Sequence, residues 1–461
     1  MFFKKNYTFA GVLYLTAFVA VHFILLLKVK FTAWPEMLAW PYLTVNGWLP
    51  YRDIAIAHTP LLLVDLSVFN AVFGVGLMQL KIYTWILIIL TDVLIFYVAK
   101  KLWNRKVAFF ALLIYIPLHI LYEGNGLWFD LALAPLALIV FYNLKKSQYF
   151  WAGLCFASAL LTKQTAAWFI IPVMIYFLNV NYFKNIHTLK IKILAFAAGF
   201  IIPIVIFLLT LVVFSLQDDF YQWALKFGIL YLPKAQGQIL FPGLKQLVIF
   251  FIPFSILIPF LIWKKFQAND LVVWICSGLL GIYPRFEYFH FQPALPFLAI
   301  GIALLTSRLS KRQVNIFSVM LGLYLLITGV LFFRFVIRNW GKETRFFTDL
   351  EKNIATYTIS ELGEKKEIYV LNYWDSLYAM TNTIPATRPL IPYIPWYLDY
   401  NDLKKTVFND LRNTMPTIII KGEYTHSGLG SYAVAEIDRL LKEQYIMSFK
   451  NENVLIYKLK E

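Results

Sequence analysis

Nine side chains between positions 36 and 290 could carry chemistry in this chain of 461 residues. In WPEMLAW, Glu36 is a single carboxylate among aromatic residues. Such a group can act as a general base toward an acceptor hydroxyl or amine, or it can be a solvated loop acid; the pattern admits both. The next stretch, NGWLPYRDIAIAHTP, gathers Arg52, Asp53 and His58. Arginine offers a planar fork of donors that matches phosphate oxygens, histidine can add another, and Asp53 can orient either one. The plainer alternative is an Arg52–Asp53 surface contact, with His58 capping the following helix. Asp130 closes EGNGLWFD at the mouth of a helix, as a second acid or, in the reading preferred for its local role, as the N-cap.

Lys163, in LLTKQTA, is a cation in an apolar setting. An anionic headgroup is a natural counterion, and snorkelling toward the interface is the commoner fate of such a lysine. YPRFEYFH sets Arg285, Glu287 and His290 close together among aromatic rings, which suits a phosphate clamp or an internal Arg285–Glu287 salt bridge. None of these groups has metal-ligand spacing, and there is no Walker or Rossmann glycine loop, so nucleotide chemistry is unsupported. Asp65 and Asp92 lie in apolar runs with no partner nearby in sequence, and His22 reads as packed against or hydrogen-bonded to a neighbouring helix.

The elements that must position these residues are membrane helices. The chain is 60% hydrophobic and 15% charged, with mean hydropathy +0.65, too apolar for one soluble core. Apolar blocks of about twenty residues recur, the length that crosses a hydrocarbon core of roughly 30 Å. They predict about eleven transmembrane helices, near residues 7–29, 80–99, 107–122, 130–144, 149–162, 166–180, 191–214, 244–263, 270–283, 290–306 and 314–336. A long first external loop, 30–78, includes an apolar segment read as an interfacial helix.

The net charge of +16 is distributed by topology. Basic clusters in alternate connections, from Lys4/Lys5 and Lys100/Lys101 to Arg308/Lys311/Arg312, mark the cytoplasmic side, so no nucleic-acid partner is expected. Cys155 and Cys276 predict neither a disulfide nor a metal site. The first apolar run reads as a membrane helix rather than a cleavable signal. From about residue 338 the pattern turns globular: IYVLNY, TIIIKGEY and NVLIYKLK read as strands and AVAEIDRLLKEQ as a helix. The expected organisation is a transmembrane domain over 1–337 and a small extracytoplasmic α/β domain over 338–461.

Glu36, NGWLPYRDIAIAHTPLL, GNGLWFDLALAPLAL, SALLTKQTAAWFIIP and YPRFEYFHFQPALPFLA follow one another in the order seen in the GT-C superfamily of membrane glycosyltransferases. Over about the first 300 residues the chain resembles the group holding the protein O-mannosyltransferases and the bacterial aminoarabinose transferase, glycosyltransferase family 39. The resemblance implies an inverting hexosyl or pentosyl transferase. It would move a sugar from a polyprenyl-phosphate donor to a lipid, glycan or protein acceptor on the external face of the cytoplasmic (inner) membrane. It places Glu36 at the family's loop-acid position, often Asp in relatives, and Asp130 at the second acid. Arg52, Lys163 and Arg285 become the phosphate-binding cations, and His58 and His290 match histidines of the same motifs. Dependence on a divalent cation is left open, since relatives differ.

Two other readings compete. A transporter or lipid-carrier flippase would also be a polytopic bundle, but it would want its charges at mid-membrane. A catalytically inactive relative would keep the fold without the chemistry.

Overall fold

The computed structural model describes residues 2–178, 186–235, 238–256, 269–308, 314–363, 366–392, 395–422, 425–426, 430–431, 434–451 and 453–460. They are predominantly helical and fall into two compact units. One, the helical unit, comprises 1–31, 82–207 and 241–342; the other, the mixed unit, comprises 32–81, 208–240 and 343–461.

In the helical unit, α1 (Phe2–Lys28), α4 (Leu77–Leu102, counted from residue 82), α5 (Arg105–Leu121), α6 (Phe129–Lys145) and α7 (Tyr149–Thr162) follow the predicted blocks closely. The next block is split into a 3-10 turn, Gln164–Phe169, and α8 (Ile170–Leu178). Then come α9 (Ile186–Val213), α11 (Leu244–Phe254), α12 (Asn269–Leu280), α13 (Leu295–Arg308) and α14 (Val314–Asn339). The expected continuation of α11 to 263, and the basic residues Lys184, Lys264, Lys265, Lys311 and Arg312, lie outside the described residues. YPRFEYFH is not helix: α12 stops at Leu280, α13 starts at Leu295, and a 3-10 turn over Tyr288–Phe291 lies between.

Two kinds of helix make up this unit. Among the described residues, Gly11–Lys28, Leu77–Leu102, His187–Val213 and Val319–Asn339 are long and apolar enough to cross a membrane. Three of them carry wide exposed apolar faces, including Val12, Val21 and Leu27 on α1, Leu194, Ile201 and Ile206 on α9, and Val319, Leu326 and Phe333 on α14. Water would not tolerate such continuous belts, whereas lipid does. The shorter α5, α6 and α13 are instead buried by protein and form the core, with Tyr115, Phe141, Phe297 and Leu298 nearly inaccessible. The chain is thus a multi-pass membrane protein. Glycines set one helix crossing: a Cβ on Gly153 of α7 would collide with the Phe196 carbonyl, and one on Gly199 of α9 with that of Phe150.

The mixed unit gathers both long loops with the C-terminal chain. The first loop folds into α2 (Pro35–Val45) and α3 (Leu61–Phe73). Thirteen residues at 1.5 Å per residue give α3 a length of about 20 Å, short of the roughly 30 Å hydrocarbon core. The second long loop carries a short α10 (Gln217–Phe220) and a π-helix over Tyr221–Tyr231. The C-terminal part is a five-stranded sheet of order β2-β1-β3-β7-β6. Its strands are β1 (Glu367–Leu371), β2 (Ile384–Pro385), β3 (Ile418–Gly422), β6 (Tyr445–Asn451) and β7 (Val454–Leu459), and β4 (Thr425–His426) pairs with β5 (Gly430–Ser431) apart from it. β2, β1 and β3 run parallel, and β7 and β6 close the sheet antiparallel. α15 (Asp349–Glu361), α16 (Ser376–Thr381), α17 (Leu403–Thr414) and α18 (Ala435–Gln444) complete the α/β arrangement. α15 starts with a capping box, Thr348 with Glu351.

Candidate functional site

In the helical unit, Asp130, Lys163 and His290 meet. Asp130 stands in the first turn of α6, where it is 1% exposed, and Lys163, 4% exposed, ends α7. Lys163 Nζ donates to Asp130 Oδ2 at 2.5 Å, and His290 Nδ1 reaches the same oxygen at 2.7 Å. Lys163 Nζ and His290 Nδ1 are 3.4 Å apart. With Nδ1–H donated to the carboxylate, His290 has its Nε2 left for another partner. The local reading of Asp130 as N-cap is corrected: Trp128 occupies that position, and the Asp130 carboxylate is spent on Lys163 and His290. Lys163 does not snorkel; it is buried, with the Asp130 carboxylate as its counterion.

Electrostatically this is one carboxylate oxygen shared between an ammonium and an imidazole, with the other oxygen, Oδ1, buried and without a hydrogen-bond partner. Lysine and histidine donors held by a carboxylate suit an oxyanion such as phosphate. The set does not suit a metal ion: among the described residues no three His, Cys, Asp or Glu are placed to hold one, and the neighbour completing this group is an ammonium. Arg285 and Glu287 form the internal pair that the sequence allowed, Nε to Oε1 at 2.6 Å, in the connection that delivers His290.

In the mixed unit, Glu36 lies in the first turn of α2 and is 3% exposed. Burial pushes the phenol of Tyr397 up, and the charges of Glu36 and then Asp375 push it further, which puts both carboxylates near that ring. Tyr397 itself packs on Trp223 and Phe227, which also hold the ring of Tyr400. Glu36 is therefore a desolvated acid rather than a solvated one. Arg52 and Asp53, adjacent in sequence, take different partners. Exposed Arg52 donates through its terminal nitrogen to the carbonyls of Phe214 (3.1 Å) and Ser215 (2.5 Å), with Asp219 at 3.4 Å from Nε. Buried Asp53 accepts from the Leu49 amide at 2.8 Å and faces Arg388 at 3.5 Å. His58 is half-buried, its carbonyl accepts from the Tyr51 hydroxyl, and Pro60 rather than His58 stands at the start of α3.

Sequence reasoning missed Tyr397, Asp375 and Asp219, because nothing local marks residues that meet Glu36 or Arg52 only through the tertiary fold. It also gave Asp92 no partner. The structure pairs Asp92 with His22, which was expected only to meet some neighbouring helix.

The fold has solved counterparts. ArnT from Cupriavidus metallidurans bound to undecaprenyl phosphate superposes with a TM-score of 0.62 at 12% identity, over 96% of this chain and 97% of that one. Its apo state gives 0.63 at 12% identity, over 97% and 98%. The archaeal oligosaccharyltransferase AglB from Archaeoglobus fulgidus, in complex with an inhibitory peptide and a dolichol-phosphate, gives 0.52 at 11%, over 92% and 70%. No protein-family model matches the sequence, and no curated protein matches it. The chain has the GT-C fold.

Proposed function

We propose that this GT-C-fold membrane protein is an inverting glycosyltransferase that moves a sugar from a polyprenyl-phosphate donor to a lipid, glycan or protein acceptor. The observation that carries the reading is the buried Asp130–Lys163–His290 cluster, set in a fold shared over nearly its whole length with a protein solved bound to undecaprenyl phosphate.

The reading assigns two separable jobs. Lys163 and His290, oriented by Asp130, take up negative charge on the phosphate as the bond from the anomeric carbon to the phosphate oxygen breaks. Glu36 takes the proton from the acceptor hydroxyl or amine as that atom forms the new bond to the anomeric carbon from the opposite face. The phosphate leaves with the electron pair of the broken bond, and the configuration inverts. Arg52, His58 and Arg285 are further phosphate-binding candidates; Glu287 holds Arg285 until a phosphate displaces it, and Asp53 faces Arg388 rather than Arg52.

The same reading places the protein in the cytoplasmic (inner) membrane with its C-terminal segment on the extracytoplasmic side, where that segment would orient the acceptor. The test is transfer of labelled sugar from a panel of polyprenyl-phosphate sugars by purified protein in lipid, comparing wild type with Glu36→Gln. Transfer that the substitution abolishes supports the reading. Failure with every donor turns weight to a flippase or an inactive relative.

A further inference from the structure

Away from the phosphate-binding candidates, the helical unit holds a line of three buried ionisable groups contributed by three helices. Asp92 on α4, His22 on α1 and His119 near the end of α5 are all fully buried. His22 Nδ1 lies 2.8 Å from Asp92 Oδ2, and His22 Nε2 lies 3.1 Å from His119 Nδ1. With Nδ1–H of His22 on the carboxylate, one proton is shared between the two rings, whichever imidazole carries it. A polar line of this kind among membrane helices costs several kcal/mol unless its members satisfy one another.

The line ends against the turn that leads to α6. His119 Nε2 is buried and has no hydrogen-bond partner, and a Cβ on Gly124 would collide with that ring. Only glycine lets the turn close onto the imidazole. Next along the turn, Asn125 Nδ2 donates to the carbonyls of Leu26 and Val29 at the end of α1, at 3.0 and 2.9 Å. From the other side, Gln292 Nε2 donates to the Tyr122 carbonyl at 2.8 Å and stands 3.4 Å from that of His119. Asp130 follows this turn, and His290 lies two positions before Gln292. The backbone segments that deliver Asp130 and His290, two of the three members of the phosphate-binding candidate, are thus tied to His119.

We infer that His119, held by His22 and Asp92, is a positioning residue that sets Asp130 and His290 for phosphate binding. The inference rests on the reading of that cluster as a phosphate site. The bond from Nδ1 to His22 matters, not the bulk of the ring, so the amide of asparagine, which can replace Nδ1 toward His22, preserves the function while leucine does not.

The experiment measures binding of undecaprenyl phosphate to purified protein in nanodiscs for wild type, Lys163→Ala, His119→Leu, His119→Asn and Gly124→Ala, each checked for a monodisperse fold. Lys163→Ala abolishes binding if the cluster is the site, and wild-type affinity in that variant overturns the underlying reading alone. His119→Leu and Gly124→Ala weaken binding about tenfold, the upper range for coupling through packed neighbours, while His119→Asn stays within about twofold of wild type. Should His119→Leu fail to fold, Gly124→Ala carries the comparison. A Lys163-dependent site that folded His119→Leu or Gly124→Ala binds as tightly as wild type does would overturn the positioning role. Equal weakening in His119→Asn and His119→Leu also overturns it, since a contact that asparagine cannot replace is not the Nδ1 bond.

Discussion

Lys163 donates to Asp130 at 2.5 Å across 33 positions of sequence, and both side chains are almost inaccessible. Neither charge would be retained alone at such a place. Removing one partner of a buried pair leaves the other uncompensated, which typically costs about 3–5 kcal/mol. Lys163→Met therefore destabilises the protein by about that much, read by denaturation in detergent. Combining it with Asp130→Asn costs less than the sum of the two single changes. A double variant whose loss equals the sum would show that the two charges are independent.

Glu36 acts by its carboxylate in the proposed reaction, so charge and reach can be separated. Glu36→Gln lowers kcat by roughly 10²–10⁴-fold, the range of general-base catalysis, with donor KM little changed. Glu36→Asp keeps the charge one methylene shorter and recovers part of the rate. Steady-state kinetics with the active donor decide the point, and a wild-type rate in Glu36→Gln removes Glu36 as the base.

The Arg285–Glu287 pair, partly exposed, competes with any phosphate for the guanidinium. Freeing Arg285 by Glu287→Gln lowers the donor KM by about fivefold, corresponding to on the order of 1 kcal/mol for a part-exposed ion pair. Arg285→Gln raises it. A donor KM indifferent to both changes makes the pair structural only.

Gly199 meets the Phe150 backbone where α9 crosses α7. Gly199→Val forces the helices apart and lowers stability by about 1–3 kcal/mol, visible as a lower thermal midpoint in detergent. An unchanged midpoint would mean that the helices do not cross so closely.

Tyr373 in the mixed unit donates to Glu351 at 2.8 Å. Burial and then the Glu351 carboxylate raise its phenol above the ordinary value. A raised folded pKa contributes stability that is fully present below the unfolded value of about 10 and is lost as pH climbs through the folded one. The unfolding midpoint of the full chain therefore falls above about pH 10, and Tyr373→Phe makes that fall shallower while costing about 1 kcal/mol at neutral pH. Circular dichroism melts across the alkaline range follow both effects.

Hydropathy is a local property, because each apolar block must match the bilayer by itself, and so the helices and even the short α3 are legible along the chain. Strands β1, β3 and β7 of the C-terminal segment are legible for the same reason, from runs such as Ile418–Ile420; β6 was missed because its mostly exposed face carries no such run, and the two-residue strands β2, β4 and β5 are too short to leave a pattern. The family order of motifs likewise marks Glu36, Asp130, Lys163 and His290 as candidates before any contact is known.

Partnership is not local. Arg52 and Asp53 stand side by side yet bind Asp219 and Arg388, and His22 finds Asp92 across 70 positions and His119 across 97. Which of several candidate cations is neutralised, which acid is desolvated, and which histidine is caught between two helices depend on close approach in three dimensions. Hydrogen-bonded partners must come within about 3 Å of each other, so the tertiary structure decided them, while the sequence by itself determined the membrane class, the helical blocks and the roster of groups available to react.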